Sequence, residues 1–274
     1  EAGAGKGEFL SYFSEEHTEW DINAFEPSQS FKYLKDTIKG ANVVNCGYEK
    51  YTKDTDVLYD VIVSLGVLEH VNNPLDMIRW FNANLSVGGY CFIRVPNFKN
   101  NPNDLFCADH LSKLTIETVI SYANASGFKV VAVEEKGVPL YMCIKKISNE
   151  YGEVKSVYST NHQLAITNGK LAKKSIDLVI KAREESLKAS GKFAIFGLGP
   201  AGIFAPFYGG FQPSDIAVFI DENKTLWGNS VLERPVLGLE AIVDYSITHI
   251  ALSVSPSYRE QIIAKSCSYN LTIY

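Results

Sequence analysis

The sequence opens with EAGAGKG at residues 1–7, a stretch in which glycine alternates with other residues. Gly3, Gly5 and Gly7 predict a turn in which a ligand can contact the main chain without meeting a Cβ atom. Such turns normally follow a buried parallel strand and lead into a helix. The turn alone is weak evidence for a ligand, because many α/β loops need glycine for structural reasons.

Two carboxylates accompany this turn. Glu1 stands immediately before the glycines, and Glu26 lies 19 residues after Gly7 at the end of the next predicted strand. An acid at that strand end can accept two hydrogen bonds from the vicinal hydroxyls of a ribose. The carboxylate of Glu1 would repel a phosphate in the turn, whereas it would attract an ammonium or sulfonium group. The two acids therefore predict a cationic ligand that contains a ribose.

Two histidines at predicted strand ends are candidates for proton transfer. His70 lies in the stretch LEHV, and His110 follows Asp109 in the stretch CADH. An imidazole with a pKa near the working pH is well suited to act as a general base. A structural interpretation stays open for both sites. Asp109 and His110 can cap and anchor the helix that follows, and His70 can pin its loop to the sheet.

The elements that would position these residues follow an α/β pattern over residues 1–148, since apolar strands alternate with longer amphipathic segments. The predicted strands are 21–28, 41–47, 59–67 and 89–97, and the predicted helices are 73–89 and 112–128. Two further β segments, KVVAVEEKG and VPLYMCIKKI, give the sheet an antiparallel end. We expect the 59–67 strand to be fully buried and glycines to close the 73–89 helix.

Residues 149–190 carry no strand pattern and are predicted to form a helical connector. This connector is either one long polar helix or two helices that meet near Asn168 and Gly169. The pattern of strand, glycine turn and helix restarts at 191–202, and further strands are predicted at 215–223 and 248–256. We therefore predict a second, smaller α/β domain over residues 191–274.

The second glycine turn, GLGPAG at 197–202, fits a dinucleotide-binding pattern. Asp221 ends the next predicted strand, 24 residues after Gly197. Pro200 weakens this interpretation because it removes an N–H group from the turn that would hold a pyrophosphate. Two alternatives stay open: an NAD(P)-dependent oxidoreductase that uses this turn, and a non-catalytic module that binds a nucleotide sugar.

Three motifs of the first domain together resemble the class I S-adenosylmethionine-dependent methyltransferases. They are the spacing E-x-G-x-G-x-G, the acid at Glu26, and the stretch DVIVSLGVLEHVNNP. The resemblance implies a doubly wound Rossmann-like domain with S-adenosyl-L-methionine as cofactor. It also implies that the three glycines line the methionine part of the cofactor, with Glu1 near the amino group and Glu26 at the ribose.

The same resemblance implies two more cofactor contacts. Leu65, at the end of the third predicted strand, would lie beside the reacting methyl group, and Tyr48 would pack on the adenine. Tyr48 can equally be an ordinary half-buried aromatic residue. Methyltransferases of this class have a strand directly before the glycine turn, so we expect the numbering to begin inside a longer natural chain.

Over nearly its whole length the chain resembles the sugar C-methyltransferases, in which a degenerate Rossmann-like domain follows the methyltransferase domain. GLGPAG, Asp221 and GNSVLERPV at 228–236 carry this resemblance. It implies a small, nucleotide-linked or other sugar as acceptor, and it gives Asp109 and His110 the positions of a glutamate and a histidine near the acceptor. Cys107 stands where that family has a tyrosine, so an oxygen or nitrogen nucleophile stays open.

Composition limits the partners. The net charge is −5, and no run of Lys or Arg occurs, which argues against nucleic acid or an anionic membrane as the main partner. The five cysteines are scattered and form no C-x-x-C pair, so we predict neither a disulfide framework nor a metal site. No apolar run approaches the roughly 18 residues that span a bilayer, and the cytoplasm is the expected location.

Overall fold

The computed structural model describes residues 1–38, 40–51, 58–254 and 256–274. These residues form two compact units. The first unit comprises Glu1–Phe98 and Asp109–Ser159, and the second comprises Lys99–Ala108 and Thr160–Tyr274. Each unit has its own hydrophobic core, built around residues such as Phe81 in the first and Phe219 in the second.

The first unit contains six strands and four α-helices among its described residues. The strands are β1 (Asn23–Phe25), β2 (Asn42–Val44), β3 (Tyr59–Leu65), β4 (Leu85–Pro96), β5 (Phe128–Glu134) and β6 (Pro139–Lys146). The helices are α1 (Glu8–Glu16), α2 (Phe31–Thr37), α3 (Pro74–Asn84) and α4 (Ile116–Ala125). β1 pairs with β2 and β3 with β4 in parallel, whereas β6 pairs antiparallel with both β4 and β5. The predicted antiparallel end of the sheet is therefore present.

Residues 1 and 2 lie between β1 and β3. The N–H of Ala2 donates to the carbonyl of Val63 at 2.8 Å, and Ala2 forms a parallel bridge with Phe25. A cavity of about 1120 Å³ runs along the two strands below this bridge. Its lining reaches back along β3 from Leu65 to Tyr59, so most of it lies away from the carboxyl ends of the strands.

Two sequence predictions about this sheet are wrong. β3 is not fully buried: Ile62 and Ser64 are its only buried residues, and the half-buried Val61, Val63 and Leu65 line the cavity. The helix predicted at 73–89 ends at Asn84, five residues early, and β4 begins directly after it. The buried ammonium of Lys146 donates to the carbonyl oxygens of Asn82 and Leu85, which ends the helix there.

The second unit is built on a six-stranded sheet in the order β12-β11-β7-β8-β10-β9. Its strands are β7 (Phe193–Phe196), β8 (Val218–Ile220), β9 (Ser230–Val231), β10 (Arg234–Leu237), β11 (His249–Leu252) and β12 (Thr272–Ile273). Four of its five strand pairs are parallel, and β9 with β10 is antiparallel. The remaining helices are α5 (Tyr158–Lys188), α6 (Pro200–Tyr208), α7 (Ala241–Asp244) and α8 (Pro256–Ser266).

Helix α5 is continuous through Asn168 and Gly169, so the connector holds one long helix rather than two. The strands predicted at 215–223 and 248–256 are present as the shorter β8 and β11, and residue 255 lies outside the described residues. Within the described part of the chain, no helix has both the length and the apolar character needed to cross a membrane.

Candidate active site

The first glycine turn joins residue 2 to α1, and its three glycines differ in their surroundings. All three have positive φ, at 75° for Gly3, 56° for Gly5 and 86° for Gly7. A Cβ on Gly3 would lie 2.5 Å from Val67, and one on Gly7 would lie 2.8 Å from Leu34. A Cβ on Gly5 would meet no atom within 4 Å, so Gly5 faces open space. Packing explains the outer two glycines, and the middle one leaves room for a ligand.

Glu26 directly follows β1 and holds the turn in place. Its side chain is buried, and its Oε2 accepts a hydrogen bond from the N–H of Gly5 at 2.8 Å. Its Oε1 accepts from the N–H of Ser28, also at 2.8 Å. A carboxylate oxygen can accept two hydrogen bonds, so both oxygens keep acceptor capacity for hydroxyl groups.

Glu1 supplies the charge beside the turn. Its Oε2 is buried and accepts no hydrogen bond from any described residue. The pKa of Glu1 is raised to about 7, chiefly by burial and to a smaller extent by the nearby carboxylate of Glu26. A buried carboxylate oxygen without a partner is costly unless a cation or donor reaches it. The turn, the open space at Gly5 and the two acids therefore fit the ammonium and ribose of S-adenosylmethionine.

Leu65 and Tyr48 are the two remaining predicted cofactor contacts. Leu65 is the half-buried last residue of β3, and the chain turns after it through Gly66 at φ 76°. Tyr48 begins the short 3₁₀ helix Tyr48–Lys50 and lies edge-on to Trp80, with ring centroids 6.5 Å apart. Tyr48 thus packs on the core of the first unit, as an ordinary half-buried aromatic residue does.

His70 lies just beyond the end of β3 and contacts the loop that contains Asp109. Its Nδ1 is 2.9 Å from the carbonyl oxygen of Asp109 and 3.6 Å from the carboxylate of the same residue. A carbonyl oxygen can only accept, so Nδ1 carries the proton of this hydrogen bond and Nε2 of the neutral ring keeps its lone pair. The ring of His110 meets that of His70 edge-on at 4.8 Å.

Glu69 is a third polar residue at this place, and our sequence analysis did not single it out. Its side chain is 4% exposed, and its Oε2 is buried without a hydrogen-bond partner among the described residues. Its Oε1 is 4.0 Å from Nε2 of His70. Burial raises the pKa of Glu69, although the charges of His70, His110 and Arg94 oppose this shift. The sequence feature that could have identified Glu69 is an acid directly before a histidine at a strand end.

The structure corrects the proposal that Asp109 and His110 cap α4. The N-cap of α4 is Thr115, whose hydroxyl accepts a hydrogen bond from the N–H of Thr118 at 3.3 Å. His70 ties its loop to the loop at 109–112, whereas the structural interpretation expected a contact with the sheet. The N–H of Ser112 donates to the carbonyl of Glu69 at 3.1 Å and adds a second tie.

The second glycine turn uses its N–H groups within the protein. The N–H of Gly197 donates to Ile220, that of Leu198 to the carboxylate of Asp221 at 3.0 Å, and that of Gly202 to the hydroxyl of Ser253 at 2.5 Å. A Cβ on Gly197 would lie 2.6 Å from the carbonyl oxygen of Ser253. Close packing on Ser253 thus explains these glycines, and a pyrophosphate would find few free donors.

Residues 1–133 match the family model described as a methyltransferase domain. Residues 1–133 are therefore a methyltransferase domain, with S-adenosylmethionine as its cofactor. The matched residues contain the glycine turn, Glu26, His70 and His110. No curated protein sequence matches the chain.

Several solved structures are similar to part of this chain. One is the plantazolicin methyltransferase BpumL in complex with a pentazolic desmethylPZN analogue and SAH, at 13% identity and a TM-score of 0.45, over 54% of this chain and 75% of that one. A second is an S-adenosylmethionine-dependent methyltransferase from Mesorhizobium loti, at 15% identity and a TM-score of 0.46, over 53% of this chain and 88% of that one. A third is the Burkholderia thailandensis 1,6-didemethyltoxoflavin-N1-methyltransferase, at 18% identity and a TM-score of 0.42, over 54% of this chain and 69% of that one.

Proposed function

We propose that the protein is an S-adenosylmethionine-dependent methyltransferase whose donor binds at the first glycine turn and whose small, sugar-like acceptor binds beside His70 and His110. S-adenosylmethionine, when bound, supplies a methyl group on a positively charged sulfur. The observation that carries the proposal is the buried, unpartnered carboxylate of Glu1 next to the open space at Gly5. That carboxylate suits a cationic donor and disfavours a phosphate.

The residues of the turn bind and orient the donor. Glu1 attracts its ammonium group, Gly5 leaves room for its chain, and Glu26 accepts hydrogen bonds from its ribose hydroxyls. Gly3 and Gly7 shape the turn by packing, while Leu65 and Tyr48 contribute apolar surface at the ends of β3 and β2. An enzyme accelerates a methyl transfer mainly by holding the donor and the acceptor in line.

The residues after β3 and β4 handle the proton of the acceptor. His110 is the proposed general base, with Asp109 and His70 beside it. The hydrogen bond from Nδ1 of His70 to the Asp109 carbonyl leaves Nε2 of that ring free to accept a proton, so His70 can share this role. A hydroxyl or carbon acceptor needs such a base before it can attack.

The sugar-like acceptor is supported by the second unit. Its parallel sheet carries the motif GLGPAG, followed by Asp221 and the β9–β10 hairpin in which GNSVLERPV lies. We propose that this unit is a Rossmann-like domain of the type found in sugar C-methyltransferases. The oxidoreductase alternative is disfavoured because the N–H groups of Leu198 and Gly202 are already bonded within the protein.

The test of the donor is calorimetric titration with S-adenosylhomocysteine and, separately, with NADH. We expect one S-adenosylhomocysteine to bind per chain and NADH to give no signal. NADH binding without S-adenosylhomocysteine binding would reverse the assignment.

The test of the acceptor site is transfer of labelled methyl groups to a panel of nucleotide-linked sugars. We expect His110→Ala and Asp109→Asn to lower turnover by roughly 10²-fold or more, with S-adenosylhomocysteine affinity nearly unchanged. The matched control is His249→Ala, which removes an imidazole from the second unit. Full turnover in both variants would show that His110 and Asp109 take no part in proton transfer from the acceptor.

A further inference from the structure

Three side chains after β3 and β4 form a cluster that the proposed donor site does not use. One ligand atom each from Glu69, His70 and His110 lies within 4.8 Å of the other two. Two imidazoles and one carboxylate are a common ligand set for divalent transition metals, which leaves further coordination positions open. We propose that Glu69, His70 and His110 bind one divalent first-row transition metal ion.

Glu69 gives the independent support for this site. Its side chain is 96% buried, and its Oε2 has no hydrogen-bond partner among the described residues. A buried ionised carboxylate is unfavourable unless a positive charge compensates it. The guanidinium of Arg94 contributes to this compensation, and a divalent ion at the cluster would contribute more.

His70 is held in the tautomer that metal binding requires. Its Nδ1–H donates to the carbonyl oxygen of Asp109, and its Nε2 points to the side of Glu69, 4.0 Å from Oε1. Histidine ligands of metals usually donate their second ring N–H to a carbonyl or carboxylate in this way. The hydrogen bond thus leaves the lone pair of Nε2 available to the ion.

The cluster needs a small contraction to hold an ion. Ligand atoms at about 2.0–2.2 Å from a metal lie roughly 3–3.5 Å from one another, which is closer than the present separations. The side chain of His70 is 38% exposed, and His110 is half-buried, so neither ring is enclosed in the core. The exposure of His70 also provides a path from solvent.

The role of such an ion deepens the proposed function and rests on it. An acceptor hydroxyl bound to a divalent ion loses its proton more readily than a free hydroxyl. In the metal-bound protein His110 would then be a ligand, and its role as a base would belong to the metal-free protein. Binding of the ion itself does not depend on the acceptor.

The test uses the full chain after a chelator has removed any bound metal. The protein is titrated with Mn²⁺, and electron paramagnetic resonance measures how much of the ion is bound. Mn²⁺ is chosen because thiolates bind it poorly, so the five cysteines do not confuse the result. Co²⁺ absorption in the visible range reports the ligand geometry independently. We expect one ion per chain.

Variants assign the ion to the cluster. Loss of outer-shell partners alone costs about 10–100-fold in metal affinity, so Glu69→Gln and His110→Ala are each expected to weaken binding at least about tenfold. His249→Ala is the matched control and keeps the affinity. Circular dichroism checks folding, and His110→Ala, in a partly exposed loop, keeps the test valid if Glu69→Gln fails to fold.

Absence of Mn²⁺ and Co²⁺ binding at millimolar concentration, or binding that neither variant weakens, would overturn the metal site. S-adenosylhomocysteine titration of the same metal-free protein keeps the two proposals apart. Donor binding without metal binding would support the proposed function and overturn the metal site. Metal binding without donor binding would support the metal site and overturn the proposed function.

Discussion

Glu1 has an unusual acidity that makes donor binding sensitive to pH. Burial raises its pKa to about 7, and only the ionised carboxylate attracts the ammonium of the donor. Glu1 loses its charge as the pH falls through this value. We therefore expect calorimetry to show S-adenosylhomocysteine binding about tenfold more weakly at pH 6 than at pH 8, since one unit below a pKa leaves about a tenth of the group ionised.

The matched variant is Glu1→Gln, which keeps the shape of the side chain and removes its titration. This variant is expected to bind weakly at both pH values, with little change between them. An equal pH dependence in Glu1→Gln would show that another group is responsible.

Of the three glycines in the first turn, Gly5 is the one whose open side leaves room for a ligand. Its φ of 56° strains any other residue, by about 1–2 kcal/mol, and its open side is the space that the donor would fill. Gly88 has φ 92° and equally open surroundings, but it lies within β4. Gly5→Ala and Gly88→Ala should lower stability similarly in urea denaturation, while only Gly5→Ala weakens S-adenosylhomocysteine binding. Equal donor affinity in the two variants would contradict the assignment.

Single residues were predictable from sequence where one element positions them. The glycine turn and Glu26 belong to one strand–turn–helix pattern, and in the structure a hydrogen bond from Gly5 to Glu26 joins them. Glu69 was missed because its burial and lack of partners depend on how a distant loop, tied through Ser112, folds over it. Adjacency to His70 alone does not reveal that environment.

At the scale of elements, the start of α4 separates two interpretations of the preceding loop. Thr115 caps the helix through its hydroxyl, and Asp109 lies outside it with a mostly exposed side chain. Loss of an N-cap costs about 0.5–2 kcal/mol. We expect Thr115→Ala to lower the free energy of unfolding by about 1 kcal/mol, and Asp109→Ala to change it by less than about 0.5 kcal/mol. Urea denaturation followed by circular dichroism measures both, and the reverse order would restore the capping role of Asp109.

The boundaries of α3 and β4 could not be predicted from local sequence. Gly88 and Gly89 look like a helix end, yet Gly89 lies in β4, where a Cβ would be 2.9 Å from the backbone of Asp60. The helix ends earlier because Lys146, more than sixty residues away, binds its last carbonyl groups. Long-range contacts of this kind leave no mark on the hydrophobic period of the helix.

At the scale of the whole molecule, the two glycine turns share one local design. In each, the acid after the next strand accepts a hydrogen bond from a turn N–H, Glu26 from Gly5 and Asp221 from Leu198. The sequence predicted both acids by their position. It did not distinguish the turns, because the difference comes from Ser253, which directly follows β11 and packs into the second turn from some fifty residues later in the chain.

The second turn is therefore expected to serve stability rather than ligand binding. A Cβ on Gly202 would lie 2.8 Å from the side chain of Ser253, and overpacking of this kind typically costs about 1–3 kcal/mol. Trp227, whose Nε1–H donates to the carbonyl of Asp221 at 2.7 Å, is a fluorescent reporter within the second unit. Gly202→Ala should shift the unfolding of the Trp227 signal to lower urea, with Trp20→Phe and Trp80→Phe in the background to isolate it. Because Gly202 packs within its own unit, S-adenosylhomocysteine affinity should stay within about twofold. A large loss of donor affinity would instead mean that the second turn takes part in binding.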